Sequence, residues 1–147
     1  MAPKPLLRTK AKRHPHLMVA PTPYGQGVFA KKPIAKGQTV GLITGDVFRE
    51  KEFQSSYCMD LGYSLVLEPR NIFRRMNHSC EPNCEIIAYK AKDDYRIHVE
   101  AIRDIAVGEQ LAIDYAWPAE YAIPCKCGSP KCRRWIVHPK ELQLIAG

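Results

Sequence analysis

Three cysteines within eight residues, Cys125, Cys127 and Cys132, constrain this chain more than any other feature. One residue separates the first two and four separate the last two, with Gly128, Ser129 and Pro130 supplying a tight turn. Thiolates brought that close can wrap one tetrahedral zinc ion, which is usually held by four ligands. A fourth ligand must come from elsewhere, and Cys58, Cys80, Cys84 and His138 are the candidates. A structural metal would contribute on the order of 10 kcal/mol to the folding of this segment. Cellular setting supports the metal reading over disulfides. Apart from Met1, residues 1–16 have only Leu6 and Leu7 as bulky apolar groups, too few for a secretory signal. No later run approaches the roughly 18 apolar residues of a membrane span. The expectation is a soluble intracellular protein whose six cysteines are metal ligands or buried thiols.

Patterning makes the chain mainly β with short helices. Ile97, Val99 and Ala101 alternate with Arg96, His98 and Glu100, and Leu61, Tyr63, Leu65 and Leu67 alternate with more varied neighbours. That period of two indicates half-buried strands. Cys84 to Ala91 reads as another strand, hairpinned to the last through Lys92-Asp93-Asp94, and Thr39 to Thr44 as one bounded by Gly37 and Gly45. Helical turns are expected at Glu50 to Ser56, Asn71 to Met76 and Lys140 to Ile145. At 147 residues, 46% of them hydrophobic, the chain suits one domain with a real core. Its net charge of +7 is uneven: eight basic residues precede the first acidic one, Asp46, leaving 14 basic against 15 acidic from Asp46 onward. The reading is a flexible basic arm over residues 1–16, a folded domain over 17–117 and a cysteine-bearing segment over 118–147. The arm is either a solvated tail or an electrostatic handle for nucleic acid or a nucleosome.

Between two apolar strands lies Arg74-Arg75-Met76-Asn77-His78-Ser79-Cys80-Glu81-Pro82-Asn83-Cys84. Alone, this run would pass for an ordinary turn, with Asn and Ser capping backbone groups. With three other motifs in order, it resembles the SET-domain protein-lysine methyltransferases. Tyr24-Gly25-Gln26-Gly27-Val28-Phe29-Ala30 is similar to the first SET motif, Arg74 with Asn77 to Asn83 to the central one, and Gly108-Glu109-Gln110-Leu111 through Asp114-Tyr115 to the third. Cys125-x-Cys127-x4-Cys132 is similar to the post-SET zinc segment. The resemblance covers roughly Pro21 to Val137. It implies the SET fold, with small mixed sheets around a pseudoknot and a C-terminal post-SET zinc segment. It also implies that Cys80 joins Cys125, Cys127 and Cys132 as the fourth zinc ligand. Cys58 and Cys84 then read as buried small hydrophobes and His138 as a surface histidine.

The activity implied is transfer of a methyl group from S-adenosylmethionine to an uncharged lysine amine, with alignment and desolvation doing most of the work. By the same resemblance, Gln26, Gly27 and Val28 hold the cofactor through their backbone, Asn77 and His78 bind its amino-acid and adenine ends, and Trp135 closes over the adenine or the lysine channel. Tyr115 is the catalytic residue and also touches the cofactor. Two departures bear on the lysine channel: Ile43 and Ile113 stand where many SET enzymes have aromatic residues, with Tyr57 or Tyr63 as possible substitutes. Histone tails or another basic protein are the implied substrates, the nucleus or chromosome the implied location in a eukaryote and the cytoplasm otherwise. A homodimer through an exposed sheet edge is a further expectation. A competing reading is a catalytically weak, zinc-containing module that binds chromatin or nucleic acid.

Overall fold

The alternating run Ile97, Val99 and Ala101 turns one face fully inward, each residue being 2% exposed or less. The computed structural model describes residues 3–8, 14–91 and 94–145. In chain order its strands are β1 (Leu7–Arg8), β2 (Leu17–Thr22), β3 (Gly25–Ala30), β4 (Thr39–Ile43), β5 (Gly45–Arg49), β6 (Met59–Gly62) and β7 (Leu65–Pro69). They continue with β8 (Asn77–His78), β9 (Cys84–Ala91), β10 (Asp94–Ala101), β11 (Gln110–Ile113), β12 (Ile123–Pro124) and β13 (Trp135–Ile136). The expected helices are all short 3-10 turns, at Glu50–Glu52, Ile72–Arg75 and Pro139–Leu144, with a fourth at Ala119–Tyr121. Among the described residues no helix is long and apolar enough to cross a membrane.

The strands form four small sheets, in the orders β1-β5-β7-β6, β4-β10-β9, β2-β3-β11-β8 and β12-β13. Nearly all pairings are antiparallel; β8 and β11 run parallel, with Ala112 opposite Asn77 and Ile113 opposite His78. Val28, Ile43, Leu67, Phe73, Met76, Ile97, Leu111 and Ile113 meet in one core between the sheets. Ile43 and Ile113 are thus core residues, 1% and 5% exposed.

Two expectations change. The alternation from Leu61 to Leu67 is not one strand, because Tyr63 and Ser64 both adopt left-handed backbone (φ 55° and 59°) and fold the run into a two-residue hairpin between paired Gly62 and Leu65. The described parts of the basic N-terminus are also tied to the fold. Leu7 packs on the core, and Arg8 Nε lies 3.0 Å from Asp46, a buried carboxylate that Arg70 also meets at 2.9 Å. Further on, His16 Nε2 donates to the Val40 carbonyl at 2.7 Å, and the Leu42 N–H donates to His14 Nε2 at 3.3 Å. Two histidines thereby satisfy the outer edge of β4, and Gly41 admits the ring, since a Cβ there would lie 2.5 Å from His14 Cδ2. The basic residues Lys10, Lys12 and Arg13 and the Lys92-Asp93 turn lie outside the described residues.

Candidate active site and metal centre

The Gly128-Ser129-Pro130 turn brings Cys125, Cys127 and Cys132 together, and the loop after β8 delivers Cys80 to them. All four Sγ atoms lie within 4.8 Å of one another, with Cys80 and Cys125 at 3.8 Å. A zinc tetrahedron with Zn–S of about 2.3 Å requires S···S near 3.8 Å, so the donor set fits that metal in both chemistry and size. Backbone donors already serve the sulfurs: the Arg133 N–H reaches Cys80 Sγ at 3.3 Å, and the Arg134 N–H reaches Cys132 Sγ at 3.3 Å. Burial pushes the Cys80 and Cys125 thiols up; at Cys127 burial is outweighed by hydrogen bonds from the Cys80 and Ser129 backbone and from the neighbouring thiols, which draw it down to about 7. Glu81 braces the knuckle, accepting from the Ser129 hydroxyl and from the Lys131 N–H at 3.1 Å.

The other candidate ligands are engaged elsewhere. Cys84 is buried in the core, which pushes its thiol up to about 12. Cys58 faces Ser55 and Glu68, and His138 Nδ1 caps the last helical turn by accepting from the Lys140 N–H at 3.0 Å.

Beside the thiols, parallel pairing of β8 with β11 gathers the three central motifs. The Asn77 side-chain N–H2 donates to the Gln26 carbonyl at 3.0 Å and to Gln110 Oε1 at 2.7 Å, fastening the glycine turn to β11. Gly27 is required there, since a Cβ would lie 2.5 Å from Gln110 Oε1. His78 Nδ1 accepts the Tyr115 N–H at 3.0 Å. That bond assigns the ring proton to Nε2, which lies 3.5 Å from Cys80 Sγ. Burial lowers the His78 pKa, keeping the ring neutral as this acceptor role demands, with the nearby Asp114 opposing and Arg133 reinforcing.

The Tyr115 hydroxyl donates to the Met76 carbonyl at 2.6 Å. Burial, with a smaller contribution from Tyr57, pushes its phenol up to about 12, so it stays protonated at neutral pH. The ring lies between His78 and Trp117, each with its centroid 5.4 Å away. Of the two tyrosines considered for the channel, Tyr57 is near enough to influence Tyr115, and the Arg74 guanidinium covers its ring at 3.9 Å. Tyr63 stands 76% exposed on its hairpin. Arg74 is itself held by Glu68; burial raises that carboxyl's pKa, but the Ser55 hydroxyl and Arg74 outweigh it and hold it below the usual range. Trp135 lines an open cavity of about 480 Å³ with Arg133, Arg134, Pro139, Leu142 and Ile145.

Sequence reasoning passed over several residues that organise this region. Buried Asn83 donates to Glu109 and to the Gln110 carbonyl, both at 2.8 Å, and accepts the Ala112 N–H at 2.8 Å. Arg133 Nη2 reaches both Asp114 oxygens at 2.8 Å. Asn83 belonged to a quoted motif and Arg133 adjoins a zinc-ligand candidate, so position was the available signal. Their partners were not visible.

Comparison with known proteins agrees with this architecture. The SET domain family model matches residues 25–116. The chain is 37% identical over 127 residues to the Drosophila melanogaster protein named histone-lysine N-methyltransferase ash1, covering 74% of this chain and 6% of that protein. It is 32% identical over 126 residues to the Schizosaccharomyces pombe histone-lysine N-methyltransferase, H3 lysine-4 specific, covering 75% of this chain and 14% of the relative. The match therefore spans only a small part of these relatives. Among solved structures, KRYPTONITE in complex with mCHH DNA, H3(1-15) peptide and SAH superposes with a TM-score of 0.73 at 23% identity, over 82% of this chain and 29% of that one. The ordered motifs, the small-sheet architecture and the match across residues 25–116 together establish that this chain belongs to the SET domain family.

Proposed function

We propose that this protein is an S-adenosylmethionine-dependent protein-lysine N-methyltransferase with a structural zinc site. The observation that carries the reading is the meeting of Asn77, His78 and Tyr115 where β8 pairs with β11, beside four clustered thiols. Cys80, Cys125, Cys127 and Cys132 would hold the zinc. The backbone of Gln26, Gly27 and Val28, with Asn77, His78, Tyr115 and Trp135, would hold the cofactor. What supports a bound polar group is Arg133, which lines the Trp135 cavity and whose buried Nε has no hydrogen-bond partner among the described residues. When bound, S-adenosylmethionine supplies an electrophilic methyl group.

The chain's own residues supply the rest. Tyr115 commits its proton to the Met76 carbonyl, leaving oxygen lone pairs for an incoming amine or a polarised C–H group. A phenol titrating near 12 is no base at neutral pH. The lysine, with an ordinary pKa near 10.4, must lose its proton to solvent, which a poorly hydrated site favours. Tyr57, whose influence reaches Tyr115, would stand in for the aromatics absent at Ile43 and Ile113. The names of the relatives support histone tails as substrates, and with them a place on chromatin in the nucleus.

Incubation with labelled S-adenosylmethionine, individual histones and cell extract tests the activity. Label is expected on lysine; absence of label together with absence of cofactor binding by calorimetry overturns the reading in favour of a zinc-containing binding module. Nucleic-acid contact is supported by Lys31, Lys32 and Lys36, all exposed and without an ion pair among the described residues, and by the basic composition ahead of them. Deleting residues 1–13 should weaken nucleosome binding and flatten its salt dependence. Equal binding at all salt concentrations would make the basic segment a solvated tail.

A further inference from the structure

Asp114 controls the backbone on the C-terminal side of Tyr115. Its Oδ1 accepts the Ala116 N–H at 2.9 Å, and Ala116 is held in left-handed conformation (φ 50°). A non-glycine residue keeps such a conformation only where its surroundings impose it. The resulting turn brings Trp117 back over Tyr115, ring centroids 5.4 Å apart. Asp114 is in turn gripped by Arg133. Nη2 meets Oδ1 and Oδ2 at 2.8 Å and donates to the Val137 carbonyl at 3.0 Å, in a side chain only 14% exposed. The backbone N–H of the same arginine donates to Cys80 Sγ at 3.3 Å. One residue therefore touches the metal-ligand cluster through its main chain and the Tyr115 turn through its side chain.

We infer that Arg133 is a positioning residue for Tyr115, acting through Asp114, and that it makes the placement of Tyr115 depend on the integrity of the four-cysteine centre. The role given to Tyr115 rests on the methyltransferase reading; the coupling itself does not. Removing the guanidinium would leave Asp114 without the partner that fixes both its oxygens, free to rotate away from the Ala116 N–H. The left-handed turn would then relax and carry the Tyr115 and Trp117 rings with it.

The chain has two tryptophans, so Trp135→Phe leaves Trp117 as the sole reporter of this turn. In that background, with zinc loaded, Arg133→Gln should make Trp117 more accessible to acrylamide while retaining one zinc per chain. Zinc removal from the parent should do the same. In the Trp135-containing protein, Arg133→Gln should lower kcat at least tenfold with KM for cofactor and histone changed less than about threefold, and Arg133→Lys should recover part of the loss. Asp114→Asn should match Arg133→Gln, and the double variant should be no worse than either single, as expected of groups acting in one unit. Unchanged quenching and kcat with zinc retained, or single effects that multiply in the double variant, would overturn the inference. Should Arg133→Gln lose its zinc, Asp114→Asn decides, because Asp114 does not contact the thiols: unchanged quenching and kcat overturn the inference, and changes in both sustain it. Should the parent transfer no methyl group, the methyltransferase reading fails and the quenching comparison still decides the coupling.

Discussion

Tyr115 shows what one hydroxyl can do when burial fixes its protonation. With its pKa pushed up to about 12 it remains a neutral phenol, and at 2.6 Å from the Met76 carbonyl it has one use for its proton. Tyr115→Phe should therefore have two separable effects. The Met76 carbonyl loses a partner in a buried setting, which costs about 1 kcal/mol of stability and is read as a shifted urea midpoint. Methyl transfer should slow by about tenfold or more with cofactor affinity nearly unchanged, the pattern of an interaction made mainly in the transition state. An unchanged single-turnover rate would assign the chemistry elsewhere. At this scale the sequence exposed residue identities well and environments poorly. Asn77, His78, Cys80 and Tyr115 stood out because they lie in compact motifs. The bond between Asn77 and Gln110 or the ion pair of Asp114 with Arg133 joins residues distant along the chain, and no local pattern records such a pairing.

Among the elements, the β6-β7 hairpin is where local sequence and structure disagree most. A two-residue loop with both φ values positive is normally filled by Asn-Gly, whereas here it is Tyr63-Ser64. Left-handed backbone costs a non-glycine residue about 1–2 kcal/mol, so Ser64→Gly should stabilise the fold by about 1 kcal/mol. Thermal or urea unfolding with an unchanged m-value checks this. A lower midpoint would mean that the Ser64 side chain contributes more than the strain removes. Because Tyr63-Ser64 lacks the usual turn signature, period-two reasoning ran straight through it and joined two strands into one. The opposite holds for β9 and β10, whose pairing from Cys84 with Ala101 onward matches the expected hairpin. There alternation and burial agree. The first two 3-10 turns are shorter than expected and the last is shifted by one residue, since residues such as Asn71 and His138 start a turn by capping without an apolar stripe to extend it.

For the whole molecule, stability is divided unequally between its two parts. The hydrophobic core is built almost wholly from Leu17 to Ile113, while Val137 is the only buried apolar side chain described after residue 117. The terminal segment makes a sheet of just two short strands. Its other attachments are polar: Glu81 on the Ser129-Lys131 turn, Arg133 on Asp114, and the His138 N–H on the Trp117 carbonyl at 2.8 Å. Exposed or half-buried hydrogen bonds of this kind are each worth only about 1 kcal/mol. Metal binding, on the order of 10 kcal/mol, is by far the largest single term holding the segment. Chelation should thus melt the segment from about residue 118 onward while leaving the sheets of residues 17–113 folded. The expected record is lost hydrogen-exchange protection confined to the C-terminus, with far-UV circular dichroism largely retained and recovery when zinc is restored. If protection falls throughout the chain, the core depends on the metal as well; if it falls nowhere, the four thiols are not a structural zinc site.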